Sequence, residues 1–77
     1  MPVSKNKRLD VRPLLERGEE PLRAVETAIA TLQPGQGLTV LAPFLPSPLI
    51  ERLKAAGYAA RAERLADRSW RVDFVRD

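Results

Sequence analysis

The side chains able to do chemistry concentrate in one stretch, "LDVRPLLERGEEPLR" at 9 to 23. Asp10, Glu16, Glu19 and Glu20 bring carboxylates, and Arg12, Arg17 and Arg23 bring guanidinium groups. Paired carboxylates can act as general acid and base when a pocket pushes their pKa values apart. Neighbouring arginines work against that, because a nearby cation holds a carboxylate ionised. The stretch has no cysteine, histidine, serine or threonine, so it offers no nucleophile and no imidazole base. The whole chain lacks cysteine and histidine. That excludes disulfides, thiolate chemistry, imidazole catalysis, and zinc or haem ligation through those residues. We therefore expect no catalytic residue, no cofactor and no metal ligand. The carboxylates read as solvated charge that complements a helix start, typically ~0.3–1 kcal/mol each.

Three further constellations have a chemical and a plainer reading. The two helix starts inferred below could bind an anion. Pro21 and Pro48 each remove an N–H donor there, and Glu19 and Glu20 repel anions. Arg61, Arg64, Arg68 and Arg71 could form a nucleic-acid stripe, but Glu63, Asp67 and Asp73 interrupt it. If Arg61 and Glu63 share the open face of a sheet with Arg71 and Asp73, opposite charges can pair across strands. Trp70 and Phe74 fall on the expected core face, which leaves no aromatic platform for stacked bases. "PFLP" at 43 to 46 is less easily dismissed. Two adjacent large apolar residues between prolines cannot easily both tuck into a core. Prolines also reduce the ordering cost of binding.

The elements that must position these residues follow from periodicity. Residues 1–7 are polar and without period, which predicts a frayed tail, and 8–77 read as a single domain. "RLDVR" at 8 to 12 alternates and reads as a strand. Leu22, Val25, Ile29 and Leu32, with Ala28 beside them, make one stripe of a helix opening at Pro21. "QPGQG" at 33 to 37 ends it. "LTVLA" at 38 to 42 reads as an interior strand parallel to the first. Ser47 could cap a second helix with Pro48 at its first position. Leu49, Ile50 and Leu53 form the apolar face of that helix, and Gly57 suits its C′ position. "YAARAERL" and "WRVDFV", divided by "ADRS", read as a hairpin. The order is β-α-β-α-β-β. Right-handed crossovers then put two helices on one face of a four-stranded mixed sheet, an α+β two-layer sandwich.

Bulk properties agree with a small globular domain. At 77 residues, 44% hydrophobic and 30% charged, the chain can bury roughly two thirds or less of its unfolded surface. The balance of 13 cations against 10 anions gives only +3, so the sequence pI near 10 is weak evidence for nucleic-acid binding. No apolar leader or membrane-length run is present, which predicts a soluble cytoplasmic protein with no membrane contact.

Several of these residues together resemble a known family. "LDVRPL" at 9 to 14, "EP" at 20 and 21, "LQPGQGLTVL" at 32 to 41, "SPL" at 47 to 49, "GY" at 57 and 58 and "WRV" at 70 to 72 resemble the TusA-like (SirA-like) sulfur-carrier superfamily. The likeness runs over 8–75 and is greatest to a cysteine-less branch. That resemblance implies the β-α-β-α-β-β sandwich and a working edge at the two strand-to-helix loops. It does not carry over the carrier chemistry. Where those carriers open their first helix with Cys-Pro, this chain has Glu20-Pro21, and no carboxylate can hold a persulfide. The cysteine-less branch tends to place histidines in the two loops, where this chain has Glu20 and Phe44.

The expectation that follows is a non-catalytic domain working by protein contact, with an unidentified partner protein or another copy of itself. A link to sulfur or redox metabolism is implied by the resemblance alone. The loops 12–20 and 42–48 should meet outside the carboxyl ends of the parallel strands. There Leu14, Leu15, Pro43, Phe44, Leu45 and Pro46 would form an apolar centre, with Glu19 and Glu20 on the rim. The alternative is a small RNA- or DNA-binding module working through Arg61, Arg64, Arg68 and Arg71.

Overall fold

The structure, a computed structural model, describes residues 6–33 and 35–76. The expected tail residues 1–5, Pro34 of the helix-ending turn, and Asp77 lie outside the described residues. Along the chain run β1 (Lys7–Asp10), α1 (Arg12–Glu16), α2 (Pro21–Ala30), β2 (Leu38–Ala42), α3 (Ser47–Ala55), β3 (Tyr58–Arg64) and β4 (Trp70–Arg76).

The four strands form one sheet in the order β1-β2-β4-β3. β1 lies parallel to β2, and β4 pairs antiparallel with β2 on one side and β3 on the other. Alternation puts Leu38, Val40 and Ala42 of β2 and Val72 and Phe74 of β4 on one face. Val25 and Ala28 of α2, and Leu49 and Leu53 of α3, join the same buried cluster. Both long helices therefore cover one face, and the other is open. This is the α+β two-layer sandwich with a mixed sheet that the periodicity predicts.

Phe74 is wholly buried, and burying a side chain of that size contributes about 1.5–3 kcal/mol. Gly37 lets β2 approach β4 closely. A Cβ there would lie 2.7 Å from the Phe74 carbonyl oxygen.

The structure departs from the sequence expectations in four places. Residues 12–16, read as loop, form the extra helix α1. Pro13 suits its first turn. Gly18, at φ +77°, closes its end, donating to the Leu15 carbonyl at 3.1 Å while Glu19 N–H donates to that of Leu14 at 2.9 Å. β1 starts at Lys7, within the expected tail, and ends at Asp10. Val11 and Arg12 leave the strand: Val11, its side chain buried, turns to φ −94°, ψ 2° as the residue before α1, and Arg12 is the first residue of that helix. Asn6 is tied to the sheet by a 3.2 Å bond from its amide to Thr39 Oγ1. Finally, Pro46 rather than Ser47 precedes the α3 helix, and no side chain caps it. Ser47 is already helical, so its hydroxyl is past the capping position.

Candidate functional site

Both parallel strands end at one edge of the sheet, as expected of two crossovers returning on the same side. β1 ends at Asp10 opposite Leu41, and β2 ends at Ala42 opposite Trp70. That last pairing brings a third segment to the edge, the β3–β4 turn at 65–69.

The turn is fastened by its own bonds and by Arg12. Leu65 N–H donates to the Ser69 carbonyl at 2.8 Å, and Arg68 N–H to the Leu65 carbonyl at 3.0 Å. Arg68 takes φ +72° to close it. The Asp67 carboxylate accepts from Ser69 N–H at 3.0 Å. The Arg12 guanidinium grips Asp10 through two bonds, Nε to Oδ1 at 2.9 Å and a terminal nitrogen to Oδ2 at 2.7 Å. Its other terminal nitrogen donates to the Ser69 hydroxyl at 3.1 Å and lies 3.5 Å from Asp67. One arginine thus ties the start of α1 to a turn more than fifty residues away.

The electrostatic consequence opposes acid–base work. The Arg12 side chain holds the Asp10 carboxyl below the usual carboxylate range. The Ser69 backbone N–H does the same for Asp67. Arg17, beside α1, is held protonated by Glu19, which it meets at 2.8 Å. Among the described residues, no three carboxylates gather as a metal site would need.

Beside this polar clamp lies an apolar groove of about 290 Å³. Leu15 of α1, Pro21 and Leu22 at the start of α2, Phe44 and Pro46 of the second loop, and Pro48 and Leu49 of α3 line it, with Glu20 at its rim. The two loops expected to meet therefore do meet. Phe44 is 53% exposed and Leu45 40%, whereas Pro46 beneath them is buried. Pro43 is exposed. Leu14 and Leu15 are half-buried and pack against the core. Glu19 does not line this groove. It borders a wider depression with Leu14, Glu20 and Arg23.

The arginines of the hairpin do not make one stripe. Arg61 and Arg71 lie on the open face, Arg64 on the opposite face by alternation, and Arg68 in the turn. Arg71 pairs with Glu63 directly across the strands and lies 3.7 Å from Asp73. The cross-strand pairing expected of that face is thus present for Glu63 and Arg71. No ion pair joins Arg61 to Asp73, its register partner. Asp73 instead accepts from Thr39 Oγ1 at 2.7 Å.

Sequence reasoning missed α1, and with it the wall that makes the groove. The signal was present: Pro13 followed five residues later by Gly18 is the start-and-stop pattern that located α2 and the end of α3. It also missed Arg12 as the link to the hairpin turn, because no local pattern marks a contact of that separation.

The fold and this edge define a class: a small α+β sandwich with an apolar groove where its two strand-to-helix loops converge. Within that class the chain belongs to the DUF2249 family of uncharacterised conserved proteins, whose model matches residues 8–76. No curated protein and no solved structure matches it significantly. Among the described residues, no helix is long and apolar enough to cross a membrane.

Proposed function

We propose that this domain is a non-catalytic, TusA-like module of the cytoplasm that acts by protein contact at the edge formed by segments 12–20 and 42–48. The observation carrying this reading is the exposure of Phe44 and Leu45 beside an apolar groove. A solvent-facing aromatic next to a preformed apolar wall is the anatomy of a contact centre. Glu20 supplies the polar rim of the groove. The clamp at Arg12 stiffens the wall, and Pro43 and Pro46 stiffen the loop, so little order need be gained on binding.

The absence of thiol and imidazole groups from the sequence, with Asp10 and Asp67 held ionised, supports docking over catalysis. The partner is another protein or a second copy of the chain. A connection with sulfur or redox metabolism rests on the TusA-like resemblance alone.

The test is capture of a partner from the source cell, followed by binding of the two purified proteins. Phe44→Asp should cost at least about tenfold in affinity. It should leave the melting temperature within a few degrees, because an exposed side chain carries little folding energy. Loss of the fold on Phe44→Asp, or undiminished binding, would refute the reading.

A further inference from the structure

The outer side of β3 is unpaired, since the sheet ends there. Which backbone groups it presents follows from two sets of bonds. Leu65 N–H points to the Ser69 carbonyl, in step with the Arg64–Trp70 register, so odd-numbered residues of β3 face β4. From the far side, Lys7 N–H donates to the Gly37 carbonyl and Val11 N–H to that of Leu41. Odd residues of β2 therefore face β1, even residues of β2 and β4 face each other, and odd residues of β4 face odd residues of β3. Both routes leave the N–H and C=O groups of Tyr58, Ala60, Ala62 and Arg64 directed outward.

Three registers would let this edge pair antiparallel with a copy of itself about a twofold axis over Tyr58–Ala62, Tyr58–Arg64 or Ala60–Arg64. Centring on Arg61 sets two like charges directly opposite. Centring on Ala60 sets Arg61 opposite Ala59 and leaves Glu63 outside. Centring on Ala62 sets Arg61 opposite Glu63 of the second copy, and Glu63 opposite its Arg61. These fall at non-hydrogen-bonded positions, where side chains approach most closely.

The side chains suit that third register. Among the described residues Arg61 has no ion pair of its own, and Glu63, which meets Arg71 of its own chain through one carboxylate oxygen, keeps the other for Arg61 of the second copy. On the helix-bearing face the seam brings Ala62 against Ala62, and Ala62 is exposed, so no helix covers it there. Charges on an edge strand ordinarily guard against pairing. The order Arg-Ala-Glu opposes the register centred on Arg61, gives the one centred on Ala60 no charge pair, and rewards only the one centred on Ala62.

We propose that β3 is a homodimer seam. Two copies join antiparallel about Ala62 with reciprocal Arg61–Glu63 pairs, fusing two four-stranded sheets into a continuous one. This surface is separate from the loop edge.

The test is sedimentation equilibrium of the full chain from micromolar to millimolar concentration. The wild type should pass from 8.6 kDa to twice that mass. Arg61→Glu and Glu63→Arg, each alone, should weaken self-association about tenfold or more, and an equimolar mixture of the two should recover it as a heterodimer. Both changes in one chain should also restore it. Ala62→Pro removes an outward N–H that the protomer does not use, so it should fold by circular dichroism and remain monomeric. If Ala62→Pro does not fold, the mixing experiment decides alone. A wild type that stays monomeric, a dimer indifferent to the reversals, or single variants that do not recombine would overturn the seam. A dimer abolished by Phe44→Asp instead would place self-association at the loop edge.

Discussion

Phe44 and Arg12 show how two neighbouring loops divide their work. The backbone of 43–46 is held by prolines at both ends and by Ser47 N–H donating to the Leu45 carbonyl at 2.9 Å. Pro46 goes inward, and Phe44 stays out. Arg12 does the opposite, spending its donors on the protein's own Asp10 and Ser69. The Asp10 carboxyl is depressed by this grip. Its contribution to stability is therefore complete above the ordinary carboxylate value near ~4 and is lost as pH falls through the lower folded value. In a carboxylate-resolved NMR titration Asp10 should titrate below that value. Arg12→Ala should bring it back to the ordinary range. A wild-type Asp10 titrating normally would show that the clamp does not persist in solution.

At the level of elements, β4 carries the most. It is flanked on both sides, and Val72 and Phe74 are wholly buried. Phe74→Ala should cost about 3–5 kcal/mol in a denaturant titration, a large part of the stability of so small a domain. A loss under about 1 kcal/mol would mean that the core closes around the gap. β4 and β2 were also the easiest elements to read, because unbroken alternation or an unbroken apolar run leaves little choice of structure. α1 was the hardest. Five residues cannot show a helical period, and only its end signals at Pro13 and Gly18 betray it. The two loops could be assigned to one edge from connectivity alone. The third segment at that edge could not, since the sequence does not say that β4 inserts between β2 and β3 rather than adding outside.

For the molecule as a whole, charge is dispersed rather than gathered. The hairpin arginines point to different faces, and Arg12, Arg17, Arg52 and Arg71 each have a carboxylate within 4 Å. A surface of that kind should bind mixed RNA or DNA weakly and release it by physiological salt, with a shallow slope of log affinity against log salt. A steep slope, implying ~4 or more phosphate contacts, would instead favour a nucleic-acid module.

The position of β4 also bears on how the domain comes into being. The last strand along the chain is an inner strand of the sheet. A nascent chain emerging from its N-terminus can form α2 and α3 early, and β1 can meet β2. β3 then has no neighbour to bond, and Leu38 and Val40 lack the partners that Phe74 and Val72 will supply on their other side. Only when residues 70–76 arrive do the two halves become one sheet. Completion of the sheet thus waits on residues 70–76, and until they pair, strand 38–42 keeps one edge open to whatever else is in reach.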